Sequence, residues 1–494
     1  MSKNDEPRNP DLTRNRARGA LLGLAAGDAV GTTVEFRKPG TFPPVTDMVG
    51  GGPFELLPGQ WTDDTSMALC LAESLVIHGE HDPVDQLHRY VRWWKEGVFS
   101  PKGRCFDIGV TTESQLARFV QTGDPHDPEV DEEAAANGSL MRLAPVSIRW
   151  FDEPSVVAER AAASSRTTHS ARRPVDACRV LAAMTAALIR GESRERVFAP
   201  DFWAHGDLHP EVDAVALGSW RGKEPSAIRG TGYCIDALEA AIWAVAGAKD
   251  FRDAILRATN LGDDADTTAA IAGQLAGAAW GVEGIPADWL AKLAMRGRIE
   301  SLAAALHRAA VGARLAWEHD EFFHAWWADA EGRVLGGEFP GDRAEPDITR
   351  LKLKLLARAG VGTIIDLTDD NDRLTGYAKH LPAVAAEQGI EMRRISHPIP
   401  DVNVTTPEHY DRIVADIEES LAGGGKVFIH CWGGVCRTGT VVGVWHVSRG
   451  CSPEAALEQI AAARAGTKKG NRSSPETSRQ VEAIREAASR RRGR

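Results

Sequence analysis

The 494-residue chain has no apolar run long enough to cross a bilayer, and its start, MSKNDEPRNP, lacks the apolar stretch that a secretory signal needs. Both absences argue against membrane insertion and set the expected location as cytoplasmic. Positive charge is not in excess either: 58 Lys+Arg stand against 69 Asp+Glu, a formal net charge of −11. Such a balance repels phosphate backbones and disfavours general nucleic-acid binding. The short basic end, residues 490–494, is read as a solvated tail. A disulfide framework is missing too, because the seven cysteines are odd in number and scattered. In a reducing compartment each is free to work as a thiol. Internal repeats are absent. What remains is a globular composition, 43% hydrophobic and 26% charged, on a chain too long for a single core.

From about residue 12 to 314, Ala and Leu recur at helical spacing, Gly and Pro punctuate the turns, and β-branched runs are few. This pattern predicts an all-helical domain, with amphipathic helices near 65–78, 174–190, 233–247 and 267–280. The character changes after His319. A helix-like LKLKLLARAG leads into a β-branched run at 361–367, a helix ending near Gly389, and a second apolar run at 426–429. Alternating strands and helices predict an α/β domain with a mostly parallel sheet. The boundary is expected between 313 and 325.

Acids cluster before two of the helices, in Trp61-Thr62-Asp63-Asp64-Thr65 and in Gly262-Asp263-Asp264-Ala265-Asp266-Thr267-Thr268. Helix capping accounts for one such residue, since a Thr or Asp side chain satisfies free N–H groups of the first turn and its charge suits the dipole. Three carboxylates in four positions repel one another unless protons or a cation neutralise them. Hard divalent ions bind carboxylate, hydroxyl and water oxygens.

These segments, together with Gly23-Leu24-Ala25-Ala26-Gly27-Asp28-Ala29-Val30-Gly31, Val34-Glu35-Phe36, Phe106-Asp107-Ile108-Gly109, Asn137-Gly138-Ser139-Leu140-Met141-Arg142 and Thr168-His169, resemble the ADP-ribosyl-glycohydrolase family in order, over residues 12–315. The resemblance implies a compact all-α domain holding two Mg²⁺ (or Mn²⁺) ions in a cleft for ADP-ribose. Carried over by motif, the metal ligands are Thr62, Asp63, Asp64, Asp264, Asp266 and Thr267, and the reaction is hydrolysis at the ribose anomeric carbon. Glu35 matches the acid placed beside the metals; on residue type alone it reads as a surface Glu before a buried Phe. Asp28 reads as a cap or as locking a turn at 27–31, and ranks below Glu35. Asp107 stands open between a catalytic carboxylate and a helix cap. Asn137, Gly138 and Ser139 look like a loop approaching the ribose or phosphates. Arg142 reads as a structural ion pair and His169 as a satisfied polar residue.

A second constellation runs from the strand Val427-Phe428-Ile429-His430 through Cys431-Trp432-Gly433-Gly434-Val435-Cys436-Arg437-Thr438 into a helix. Backbone N–H groups of such a loop, with the helix N-terminus behind them, can cradle a tetrahedral oxyanion. Cys431 at its base is the expected nucleophile, Arg437 the fork for two phosphoryl oxygens, and Thr438 a hydroxyl donor to the sulfur. Strand, Cys-x5-Arg loop and helix together resemble protein-tyrosine and dual-specificity phosphatases. Asp401, in His397-Pro398-Ile399-Pro400-Asp401, is the expected general acid, with a turn Asp as the bland alternative. Many relatives have Gly where this chain has Cys436. That leaves two readings open, a side chain that crowds the loop or a thiol that forms a reversible disulfide with Cys431.

The expectation is therefore a bifunctional hydrolase: a glycohydrolase-like domain over 12–315, with Mg²⁺ or Mn²⁺, and a cysteine phosphatase-like domain over 322–488, with no cofactor. Its partners would be an ADP-ribosylated substrate and a phosphorylated protein or small molecule, with no membrane, and nucleic acid only as a carrier of ADP-ribose. The competing class is a binding module that kept the pockets and lost one or both activities.

Overall fold

The computed structural model describes residues 10–311, 319, 322–329, 331–342, 345–465 and 467–492. The charged start, the stretch 312–318 at the expected boundary and the last two residues of the basic end lie outside the described residues. The chain divides into two compact units, Met1–Gly312 and Ala313–Arg494.

Among the described residues the first unit is helical and has no strand. At its centre lie α1 (Pro10–Gly31), α2 (Asp63–His78) and α3 (Ala265–Trp280). The turn expected at 27–31 is instead the last turn of α1. Its glycines belong to a stripe, Gly19, Gly23, Gly27 and Gly31, that recurs every four residues and so lines one helix face. That face meets α3 backbone to backbone: a Cβ on Gly27 would lie 2.1 Å from the Ala269 carbonyl oxygen, and one on Gly277 would lie 1.9 Å from that of Gly19. Glycine is required here for closeness, not for a turn. The contact carries Asp28 of α1 to the first turns of α2 and α3. Gly27→Ala is expected to cost about 1–3 kcal/mol by overpacking. Calorimetry should show the transition of this unit falling by several degrees, and an unchanged transition would contradict the close packing.

The second unit is built on a five-stranded mixed sheet in the order β1-β2-β5-β3-β4. β1 (Ala325–Trp327) runs antiparallel to β2 (Val334–Gly337). β2, β5 (Lys426–His430), β3 (Val361–Asp366) and β4 (Arg393–Ser396) are paired in parallel. β3 and β5 are the two apolar runs seen in the sequence, central and buried. The other three strands are not foreseen there, because they are three or four residues long and lack alternation; β4 reads Arg-Arg-Ile-Ser. Ile365, Val427 and Ile429 pack with Val441, Val442 and Trp445 of α4 (Cys436–Ser448) in the core. Between β5 and α4 the chain makes a tight loop. Gly434 is left-handed at φ 72°, and a Cβ there would lie 2.4 Å from the carbonyl carbon of Gly337. This loop therefore rests directly on β2.

Candidate functional site

Neither acidic segment caps its own helix. Thr62 and Asp264 occupy the N-cap positions of α2 and α3, yet neither side chain makes a capping bond. α2 is capped from α1 instead. Asp28 Oδ1 accepts from the backbone N–H and hydroxyl of Thr62 at 2.9 and 3.0 Å, and its Oδ2 accepts from those of Thr65 at 3.0 and 2.6 Å. The Thr62 hydroxyl also lies 3.1 Å from Asp64 Oδ2 and 3.1 Å from Asp266 Oδ2. One hydroxyl proton cannot satisfy three carboxylates.

Two further oxygens, Asp64 Oδ1 and Asp266 Oδ1, are buried without any hydrogen-bond partner. Carboxylate oxygens of Asp28, Asp64 and Asp266 all lie within 4.8 Å of one another, and so do those of Glu35, Asp107 and Asp266. Burial first, then mutual repulsion, pushes the carboxyls of Asp63, Asp64 and Asp266 well above their ordinary range. Burial also raises Asp28 to about 6, against its bonds to Thr65 and Thr62. Such orphaned oxygens, all hard donors, fit a divalent cation of the Mg²⁺ or Mn²⁺ kind.

Of the six expected ligands, Thr62, Asp64 and Asp266 meet directly, and the Thr267 hydroxyl lies 3.5 Å from Asp64 Oδ2. Asp63 and Asp264 line the adjoining cleft of about 690 Å³, where Asp264 Oδ2 accepts from Asn137 Nδ2 at 2.7 Å. Glu35, Asp107 and Gly138 line it too. Glu35 is 3% exposed and Phe36 65%, the opposite of the surface Glu and buried Phe that residue type alone suggests and in keeping with an acid beside the metal site. Burial, then Asp266, raises Glu35 to about 12, and burial, then Asp264, raises Asp107 to about 8. Asp107 is no helix cap: the N-cap of the following helix, Val110–Thr122, is Gly109.

Phe36, Asp107 and Asp263 all hold left-handed backbones, at φ 61°, 58° and 54°. The Phe36 N–H donates to the Asp263 carbonyl at 2.7 Å, and the Asp263 N–H donates to that of Arg37 at 2.8 Å. These bonds lock the Glu35 segment to the Asp264–Asp266 segment and hold Phe36 and Asp263 in a strain that costs about 1–3 kcal/mol per residue.

Two expectations near this cleft need correction. Ser139 does not reach it; the chain turns inward after Gly138, and the Ser139 hydroxyl is buried, accepting from Ser165 Oγ at 2.8 Å and from Cys178 Sγ at 3.3 Å. Arg142 has no ion pair among the described residues. Its Nη2 donates to Thr168 Oγ1 at 2.6 Å and its guanidinium lies over the Tyr90 ring. His169 is satisfied through Thr168, as expected, and burial lowers its pKa to about 3, so the ring that lines the cleft is neutral.

In the second unit Cys431 is buried at the end of β5, at the base of a cleft of about 900 Å³ that Asp372, Asp401 and Cys436 also line. Arg437 is fully buried and its fork is held by carboxylates. Nη1 and Nη2 donate to Asp372 at 2.8 and 2.9 Å, Nη1 also reaches the Ile399 carbonyl at 2.9 Å, and Nη2 lies 2.9 Å from Asp401 Oδ1. Nε is buried with no partner. Burial works to raise the Asp372 carboxyl, but its bonds to Arg437 hold it below the ordinary range.

The Thr438 hydroxyl corrects another expectation, because it donates to the Gly337 carbonyl at 3.4 Å and not to Cys431. The close seat of the loop on β2 puts that carbonyl within reach. Cys436 is not left-handed, so no Gly is required there. It accepts from Gln480 Nε2 at 2.8 Å, and burial raises its thiol to about 11.

Two groups escaped the sequence. Asp372 has an Asp369-x-x-Asp372 capping turn as its sole local signal. Beneath Cys431, His430 Nε2 lies 2.7 Å from the Tyr377 hydroxyl, which donates to Asp366 at 3.3 Å, and Asp366 in turn accepts from Arg394 at 2.8 Å.

The model of the ADP-ribosylglycohydrolase family matches residues 9–316. The chain belongs to that family. Over 294 residues it is 46% identical to the ADP-ribosylarginine hydrolase Tri1 of Pseudomonas putida (strain GB-1), covering 60% of this chain and 78% of that protein. It is 34% identical over 286 residues to the ADP-ribosyl-[dinitrogen reductase] glycohydrolase of Rhodospirillum rubrum, covering 57% and 91%. A solved ADP-ribosylglycohydrolase-related protein complex matches with a TM-score of 0.55 and 43% identity, over 61% of this chain and 99% of that one. Residues 344–491 match the DSP-PTPase phosphatase domain of a Swiss Army Knife protein. This member of the glycohydrolase family thus carries a phosphatase-type domain behind its first unit, and both are of hydrolase type.

Proposed function

We propose that the first unit hydrolyses the bond between ADP-ribose and an arginine side chain, with Mg²⁺ or Mn²⁺ held by Thr62, Asp64 and Asp266 and flanked by Asp28, Asp63, Asp264 and Thr267. The observation that carries this reading is the single Thr62 hydroxyl shared among three buried carboxylates, beside two orphaned oxygens. The arginine linkage is supported by the name of the Pseudomonas relative. When bound, a cation there supplies Lewis-acid polarisation and orients ribose hydroxyls.

The chain's own residues do the rest. Glu35 and Asp107 face the cleft, and Glu35 is placed to exchange a proton with the attacking water. Asn137 fixes Asp264, and Gly138 lets the cleft wall close on the His169 ring, which a Cβ would meet at 2.9 Å. The anomeric C–N bond breaks, a C–O bond from water forms, and arginine leaves with a proton. Metal-stripped full chain should release ADP-ribose from an arginine-linked substrate once Mg²⁺ is restored, at least about 10-fold faster than from a serine-linked one. Equal release without metal, or release from serine alone, would contradict the reading.

For the second unit the proposed reaction is phosphomonoester hydrolysis, the sequence expectation being a phosphotyrosine or phosphoserine type. Cys431 Sγ attacks phosphorus, the P–O bond to the leaving group breaks, and Asp401 protonates the departing oxygen. Asp401 then takes a proton from the water that displaces the sulfur. Support comes from the cleft that Cys431 and Asp401 both line and from Arg437, whose Nε is left without a partner six residues after the nucleophile.

A further inference from the structure

We infer that the phosphatase cleft is built for a nucleotide-type phosphomonoester, one with a flat base and a second anionic group, in preference to a phosphoprotein. The inference rests on the phosphatase reading above and adds the substrate class.

The residue directly after the nucleophile, Trp432, lines the cleft and is 57% exposed, whereas Trp326 and Trp445 of the same unit are buried. Its exposure does not come from a loose loop. The Trp432 carbonyl accepts from the Phe339 N–H at 3.0 Å, the Gly433 carbonyl from Lys469 Nζ at 2.9 Å, and the Val435 carbonyl from Ser474 Oγ at 2.7 Å. Lys469 is itself presented by the buried Arg464, which donates to the Lys469 and Arg472 carbonyls at 2.7 Å each. A backbone held at three carbonyls between Trp432 and Val435, carrying an open indole, is a rigid stacking platform one residue from the reacting sulfur. Every nucleobase has a face for such a platform.

The second feature is Arg373. It follows the capping turn that holds Asp372 on Arg437, and its left-handed backbone, φ 51°, sets it at the cleft wall. Each of the cleft's other cations has a carboxylate within reach: Lys469 and Lys352 share Glu338, and Arg472 pairs with Glu476. Among the described residues Arg373 has no carboxylate partner, so its positive charge is uncommitted at the wall of the cleft that Cys431 lines. A phosphotyrosine ring, joined directly to the phosphate, brings no second anion to it. The cleft, about 900 Å³, has room for a base and a further phosphate besides the one attacked. A phosphorylated form of ADP-ribose, whose carriers the first unit is proposed to process, belongs to this class.

The test uses the full chain with adenosine 3′,5′-bisphosphate, glycerol 3-phosphate and a phosphotyrosine peptide. The bisphosphate should have a kcat/KM at least about 10-fold above both others, and Trp432→Ala and Arg373→Ala should each cut its advantage over glycerol phosphate about 5-fold or more, chiefly through KM. Preference for the peptide, or an advantage indifferent to both substitutions, would overturn the inference. Calorimetry with adenosine 3′,5′-bisphosphate and Cys431→Ser separates the two levels. Binding that weakens with Trp432→Ala, while wild type turns over none of the three esters, sinks the phosphatase reading and retains the subsite. Turnover of all three without preference does the reverse.

Discussion

Asp266→Asn is expected to lower ADP-ribosyl hydrolysis on the order of 10³-fold while making the metal-free protein more stable. Asp266 is the carboxylate common to both oxygen clusters, so its loss weakens each. Two unit charges 4 Å apart repel by about 4 kcal/mol at an effective dielectric of 20, and a buried group of this kind survives selection for its function rather than for its contribution to folding. Asn keeps an acceptor for the Thr62 hydroxyl and removes the charge. Scanning calorimetry of metal-stripped protein should therefore show a gain of about 0.5–2 kcal/mol. Adding Mg²⁺ should stabilise wild type by about 2.7 kcal/mol at one hundred times its dissociation constant, and the variant far less. A variant that is both active and less stable would show that the acids serve folding.

Cys431→Ser should abolish phosphomonoesterase activity, by at least about 10⁴-fold, because Ser in the same loop is a far weaker nucleophile at neutral pH. ADP-ribose release should be unaffected, since Cys431 belongs to a unit with its own sheet and core. Assaying both activities on one preparation gives the folding control directly. Residual phosphatase activity near wild type would move the chemistry to another residue.

How much of this was legible beforehand follows from where the signals lie. Asp63, Asp64, Asp264 and Asp266 stand out because like charges crowd a few positions, a violation of local economy that a sequence displays openly. Asp28 gives no such sign: it is a lone acid among small residues, and its partners Thr62 and Thr65 lie 34 and 37 positions away. The four-residue recurrence of Gly19, Gly23, Gly27 and Gly31 was present in the sequence, and reading it as a helix face would have put Asp28 beside α3. Asp372 is 65 residues from Arg437, too far for any spacing rule. The Thr438 hydroxyl depends on how closely a loop lies on Gly337, and Ser139 on which way a chain turns after Gly138; both are outcomes of packing. The helical half and the two central strands were readable because burial imprints periodicity over many residues. Strands of three or four residues leave no such imprint.

The most direct measurement is isothermal titration of metal-stripped full-length protein with Mn²⁺, beside Asp64→Asn, whose substitution touches one of the two orphaned oxygens. Saturable binding by wild type that is lost or greatly weakened in Asp64→Asn is the result the buried carboxylate site predicts. No binding to wild type, or equal binding to both proteins, would contradict it.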